Sequence, residues 1–352
     1  MKPTNKPYHR NIYLLLLLAL VPALLVTGCG TSAPQAAAPA VEASPSPEAV
    51  ANTDYAGKMV VYVNSYHEGY PWSDGIETGL HTILDGTGVE LKIIRLDTKQ
   101  NPDVAFGESA GAKAWAEIQA LNPDVVIASD DNAQKYLIVP FMKDGSIPVI
   151  FNGVNWDASA YGFPTSNMTG MIEVELPDQL VELLKAYANG ERVGYITVDS
   201  ETERKVVDIY NQRFFNGQMT TYWVTNQQEF KDAFLKAQDE VDILIMGNNA
   251  GSSDTWDEAG MTQFVNENSK VPTGSINDWM APYSLLTLAK SSQEQGEWSA
   301  QAALSILGGT PPSEIPVAEN KKGQLIVNLD LAEKLNVVFA PSLLKTATIL
   351  GE

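Results

Sequence analysis

Apolar positions follow two alternating rhythms along most of the chain. Met59-Val60-Val61-Tyr62-Val63-Asn64 is a short, almost unbroken apolar run rich in β-branched residues, which predicts a strand covered on both faces. Ser73 to Leu84 then carries Ile76, Leu80 and Ile83 at helical spacing. The alternation continues with a strand at Val89 to Leu96, a helix at Ala110 to Leu121 stopped by Pro123-Asp124, and a strand at Val125 to Ala128. A helix at Ala133 to Phe141 and a strand at Pro148 to Phe151 complete the block. After a Gly- and Asn-rich interruption, Asn152 to Ser166, the rhythm restarts. Strands are predicted at Met168–Ile172, Arg192–Val198, Thr220–Val224, Val241–Met246 and Thr273–Ile276, with helices beginning near Pro177, Glu201, Gln228 and Asp257. Strands alternating with helices predict an α/β fold with parallel sheets, and two blocks of similar size predict two Rossmann-like lobes. No repeat of a solenoid kind is present.

The amino terminus reads differently. Lys2, Lys6 and Arg10 precede an apolar run of 15 residues, Ile12 to Val26, which suits the central region of a signal peptide better than a span of ~30 Å of hydrocarbon. Its end, Val26-Thr27-Gly28-Cys29, resembles a bacterial lipobox. That resemblance implies cleavage before Cys29 and lipidation of Cys29, with the remainder of the chain outside the cytoplasm and anchored at a membrane surface. Residues 30–57 hold four prolines and nine alanines with almost no large apolar side chain, the composition of a tether.

Composition narrows the classes of activity. The full sequence of 352 residues has 23 Lys plus Arg against 43 Asp plus Glu, a formal net charge of −20. Such an excess of acid repels phosphate backbones, so nucleic acid is excluded as the expected partner. One cysteine and three histidines, His9, His67 and His81, build neither a disulfide framework nor a zinc site. No dinucleotide fingerprint, Walker A loop or H-E-x-x-H is present, so no cofactor and no metal are expected. Gly107-Glu108-Ser109-Ala110-Gly111 matches the esterase nucleophile elbow, yet all three histidines precede Ser109 and no buried strand leads into it. Ser109 is read instead as the cap region of a helix over 110–121. A serine esterase is therefore a remote alternative, and binding rather than chemistry is expected.

In open parallel sheets, ligands bind beyond the carboxyl ends of the strands. Here those ends carry Ser65, Tyr66, His67, Tyr70 and Trp72 after the first strand, Ser129, Asp130, Asp131 and Asn132 after the third, and Asn152, Asn155 and Trp156 after the fourth. In the second block Asp199, Asn248 and Asp278 stand in the equivalent places. Aromatic faces with a few fixed polar groups suit a small solute: sugar-like, nucleoside-like or an amino acid. Each residue has an ordinary structural alternative: His67 bracing its loop, Tyr70 and Trp72 packing beneath it, and Asp130 to Asn132 capping a helix start.

The segment Val63-Asn64-Ser65-Tyr66-His67-x-Gly69-Tyr70-Pro71-Trp72-x-x-Gly75-Ile76 resembles the opening of type I periplasmic-binding-fold proteins. It is most similar to the ABC-transporter substrate-binding family that includes tryptophan/tyrosine-binding lipoproteins. Gln295-Gly296, Gly308-Gly309-Thr310-Pro311-Pro312 and Ile315-Pro316-Val317 resemble the family's carboxyl part. The resemblance implies two lobes joined by a three-segment hinge that close over a solute, handed to an ABC permease; close relatives serve as partners of membrane sensor kinases instead. Crossings are expected near Asn152–Asn155, Thr287–Ser292 and Pro312–Pro316. The first lobe would then be 58–153 plus 290–312, and the second 154–289 plus 313–352. A monomer is expected. Binders of amino acids in this fold hold the ligand carboxylate at a helix start, but here that start carries Asp130 and Asp131, and no arginine stands at these strand ends. The departure favours a neutral polyhydroxy or cationic solute.

Overall fold

A computed structural model describes residues 55–250, 252–253 and 255–351; the expected signal peptide, Cys29 and most of the tether lie outside the described residues. The first sheet contains β1 (Met59–Asn64), β2 (Glu90–Arg95), β3 (Val125–Ser129), β4 (Val149–Asn155), β5 (Met168–Glu173) and β11 (Ala318–Glu319) in the order β2-β1-β3-β4-β5-β11, all parallel. The second contains β6 (Val193–Val198), β7 (Thr220–Val224), β8 (Ile243–Met246), β9 (Thr273–Ser275), β10 (Leu286–Lys290), β12 (Gly323–Asn328) and β13 (Thr348–Leu350) in the order β7-β6-β8-β9-β10-β12-β13. Only the β10–β12 pair is antiparallel. The architecture is α/β with two mostly parallel sheets, as the rhythm predicts.

Strand β1 shows why its run is continuously apolar. Val61 and Val63 face one layer of helices while Val60 and Tyr62 face the other, so the period of two places every side chain in a core. Val126 and Ala128 against Val125 and Ile127 repeat the division on β3. Helices α1 (Pro71–Leu84) and α8 (Ser292–Leu307) cover one face through Ile76, Leu80, Trp298 and Ala303. They approach closely because Gly79 and Gly296 lack side chains: a Cβ on Gly79 would lie 2.2 Å from the Gln293 carbonyl, and one on Gly296 2.0 Å from the Ile76 carbonyl. The other face is covered by α2 (Val104–Leu121) and by α3 (Asp130–Ala133) with its π-helical continuation Gln134–Met142.

Two expectations change here. Asp103 accepts hydrogen bonds from the Ala105 and Phe106 amides at 2.9 and 3.2 Å, so α2 starts at Val104. Ser109 lies inside the helix with its side chain outward and caps nothing. The flanking glycines serve packing: a Cβ on Gly111 would lie 2.0 Å from the Tyr136 carbonyl, and one on Gly107 2.5 Å from the Tyr136 ring. The crossings also move. Because β5 pairs with β4, the chain leaves the first sheet after Glu173, entering α4 (Pro177–Lys185) on the second core, and not at Asn152–Asn155. The second crossing joins Lys290 to Ser292. The third runs from β11 to β12 across Asn320–Lys322, beyond the expected Pro312–Pro316, because β11 adds to β5.

Candidate functional site

Strand order locates the site. In the first sheet β1 lies between β2 and β3, so the chain winds outward in both directions from the β1/β3 pair and leaves a crevice at the carboxyl ends of those strands. The second sheet repeats this at β6/β8, with β7 on the far side.

The loop after β1 is fixed from below. Asn64 accepts from the Tyr66 amide at 2.7 Å and donates to Glu77 at 3.1 Å, and Glu77 receives a two-pronged contact from Arg95 at 2.7 and 2.9 Å. Ser65 donates to the Ser129 carbonyl at 2.6 Å and accepts from the Ala133 amide at 2.7 Å, joining the ends of β1 and β3. Thr98 donates to the Ser65 carbonyl at 2.7 Å and accepts from Asn132 at 2.8 Å, which adds the end of β2. Three strand ends thus hold one another.

This framework sorts the expected residues. Ser65, Ser129 and Asn152 are fully enclosed and brace the strand ends: Ser129 bonds the Tyr62 hydroxyl at 2.7 Å, and Asn152 donates to Ser299 at 2.8 Å while its Oδ1 has no partner among the described residues. Asn132 is engaged by Thr98. Trp156, with φ of 58°, packs on Tyr210 and Phe214 of α5 (Glu201–Arg213), with the Arg213 guanidinium over its ring. It links the two lobes by packing.

The remaining residues of the first lobe converge. Tyr66 and Tyr70 form an edge-to-face pair with centroids 5.0 Å apart, and His67 lies 5.8 Å from Tyr70 and 3.8 Å from Asp97. Trp72 donates from Nε1 to Asp130 Oδ1 at 3.0 Å. Asp131 accepts from Tyr161 at 2.7 Å and from Asn155 at 3.2 Å. Asp130 is 4% exposed and takes φ of 66°. Burial, and then the neighbouring charge of Glu173, hold its pKa well above the usual carboxylate range. The same burial with Asp130 alongside pushes the Tyr66 hydroxyl up.

In the second lobe Asp199 stands after β6 but pairs with Arg204 at 2.6 Å, and Asp278 accepts from the Trp279 amide at 2.8 Å. Asn248 donates to Glu203 at 3.2 Å, and Glu203 also accepts from Thr197 at 2.7 Å, so a buried carboxylate underlies this edge. Trp279 is exposed beside Asp278.

Sequence reasoning passed over the groups that join the lobes. Lys290, ending β10, pairs with Glu173 and, at 2.8 Å, with Glu175 on the first crossing; its ammonium lies 5.6 Å from the Trp72 ring. Burial works against that ammonium, but the two carboxylates outweigh it and raise its pKa. Burial raises Glu173, against the pull of Lys290. On the third crossing Asn320 accepts from the Val174 amide at 2.7 Å and donates to the Val174 carbonyl at 2.9 Å. Glu294, at the start of α8, receives the Lys321 and Lys322 amides at 3.0 and 2.7 Å. Each crossing is therefore tied to another by side chains. Nothing in the local pattern of a lone Lys or Asn announces such a partner.

The family described as ABC transporter substrate binding protein matches residues 67–350. No curated protein matches the chain. Solved structures do. The ligand-free, open form of a substrate-binding protein with adhesive properties from Clostridium difficile is 20% identical, with a TM-score of 0.63 over 83% of this chain and 99% of that one. A conserved domain protein from Vibrio cholerae is 18% identical with a TM-score of 0.50, covering 84% of this chain and 99% of that one. An ABC domain from Streptococcus pneumonia in complex with L-Trp is 20% identical with a TM-score of 0.47, covering 84% and 100%. At these identities the likeness to the first two is one of fold.

Proposed function

Taking as premise that the chain belongs to the ABC transporter substrate binding protein family, we propose that it is an exported lipoprotein, anchored through Cys29, which captures a small organic solute between its lobes and delivers it to an ABC importer. The family is one of extracytoplasmic solute-binding proteins, and among the described residues no helix is long and apolar enough to cross a membrane. The observation that carries the reading is the crevice at β1/β3: a braced loop with Tyr66, His67 and Tyr70, and Trp72 in the first turn of α1, stand beside Asp130 and Asp131, and the three crossings are linked by side chains. Aromatic faces supply apolar area, and the carboxylates and amides fix orientation. Closure about the crossings would bring Asn248, Asp278 and Trp279 to the other side of the solute and present a changed surface to the permease.

Thermal unfolding of the purified chain against sugars, nucleosides, amino acids and polyamines tests this. A solute at a hundred times its dissociation constant stabilises by about 2.7 kcal/mol, a readily visible shift. A shift confined to one chemical class supports the proposal. Hydrolysis of ester substrates lost on Ser109→Ala would contradict it.

A further inference from the structure

From the Tyr66–Tyr70 ring pair and its flanking carboxylates we infer that this seat receives a cationic nitrogen of the solute, and that Lys99 is the chain's own occupant of it, given up when the solute binds. The inference rests on the solute-binding reading and names the chemistry of its ligand.

Three observations converge. The Lys99 ammonium lies 5.2 Å from the Tyr66 centroid and 5.2 Å from the Tyr70 centroid, so the edge-to-face pair holds a positive charge between its two rings. Lys99 sits at the exposed end of the loop after β2, and among the described residues no carboxylate lies within ion-pair distance of it. The second observation is Asp130, whose Oδ1 accepts from Trp72 at 3.0 Å while its buried Oδ2 has no hydrogen-bond partner among the described residues. A buried carboxylate oxygen without a donor is a strong acceptor awaiting one, and an ammonium brings up to three. The third is Asp131, half-buried beside it, held by Tyr161 and Asn155 at 2.7 and 3.2 Å and so fixed in orientation.

The two lysines at these rings differ in a way that decides which can leave. Lys290 stands 5.6 Å from the Trp72 ring but is clamped by Glu173 and Glu175, so its charge is neutralised in place. Lys99 has no ion pair among the described residues: the two ring faces hold it, and the charge of Asp130 attracts it without a hydrogen bond. Cation–π attraction at an exposed site is weak, and a long side chain regains its rotamer freedom on release. A solute ammonium over the rings and within reach of Asp130 and Asp131 gains charge-assisted hydrogen bonds that Lys99 does not make. The competing arrangement is that Lys99 anchors an anionic group of the solute.

Melting and calorimetric titration of the full chain with matched probes separates the two. One set is choline, its uncharged isostere 3,3-dimethylbutanol and the anion 3,3-dimethylbutyrate; a second is tyramine, 4-hydroxyphenylethanol and 4-hydroxyphenylacetate. The cationic member of a set is expected to bind more tightly than the neutral one, and the neutral more tightly than the anion. Asp131→Asn should weaken the cation by about tenfold, the loss of one charged hydrogen bond, and Lys99→Gln should strengthen it, which loss of folding would not do. A neutral or anionic member binding as well as its cation, or an anion whose binding Lys99→Gln removes, overturns the inference. Failure of all six probes also overturns it; a melting shift from a sugar or nucleoside would then leave the solute-binding reading standing.

Discussion

The indole of Trp72, in the first turn of α1, donates a hydrogen bond of 3.0 Å to the carboxylate of Asp130, the first residue of α3. This contact ties the start of α1 to the start of α3 at the β1/β3 crevice, with the Lys290 ammonium 5.6 Å from the Trp72 ring. Trp72→Phe keeps an aromatic ring, though a smaller one, and removes the only donor to that carboxylate among the described residues. Leaving a buried acceptor unpaired costs about 1–3 kcal/mol, which urea unfolding of the variant should register.

Asp130 gives stability a pH dependence of defined sign. Its folded pKa is raised, by burial first and by Glu173 next, so the folded chain binds this proton more tightly than the unfolded one. The cost of the site is absent below the unfolded pKa of about 4 and grows as pH rises from there toward the folded pKa. Asp130→Asn retains an acceptor for Trp72 and suits the left-handed backbone at this position. It should raise the melting temperature at pH 8 and leave it little changed at pH 4. An equal shift at both would show that Asp130 is not the source.

The Lys290 bridge is a second buried charge cluster with a testable weight. Lys290→Met leaves Glu173, 6% exposed, facing Glu175 with no counter-charge, and should destabilise by about 3 kcal/mol. Adding Glu173→Gln to that variant should recover much of the loss, since the unpaired charge is then gone. If the double variant is as unstable as the single, packing of the Lys290 stem is the cause.

The G-x-S-x-G segment is a packing device. Gly111→Ala forces a methyl into the Tyr136 carbonyl and should cost about 1–3 kcal/mol. Ser109→Ala, on the outer face of α2, should change stability by less than about 0.5 kcal/mol. Reversal of that order would show that the glycines tolerate a side chain and that Ser109 has a role of its own.

How far the fold was legible depended on whether its signal is local. Val60 to Val63 and Val125 to Ala128 announce buried strands because their periodicity lies within one element. Met168–Ile172 announces a strand equally well, but no local feature shows that it pairs with β4, so the first crossing was expected about twenty residues early. The strand-end rule brought the right loops into view. It could not separate Ser65 and Ser129, whose hydroxyls join β1 to β3, or Asn152, whose amide donates to Ser299 of α8, from Tyr66 and Asp131, which remain at the crevice. Trp156 looks like a stacking residue in sequence, and only its contact with Tyr210 shows that it joins the lobes. Glu173 with Lys290, and Asn320 with Val174, are pairs between remote segments and leave no spacing to read.

The central claim, capture between two lobes, is tested most directly by the distance between spin labels on Glu117 of α2 and on Lys236 of α6 (Gln227–Glu240), both exposed. Pulsed dipolar measurements with and without a solute that raises the melting temperature should give a displaced and narrower distance distribution when it is bound. An identical distribution with the solute demonstrably bound would contradict closure around it and place binding on a single lobe.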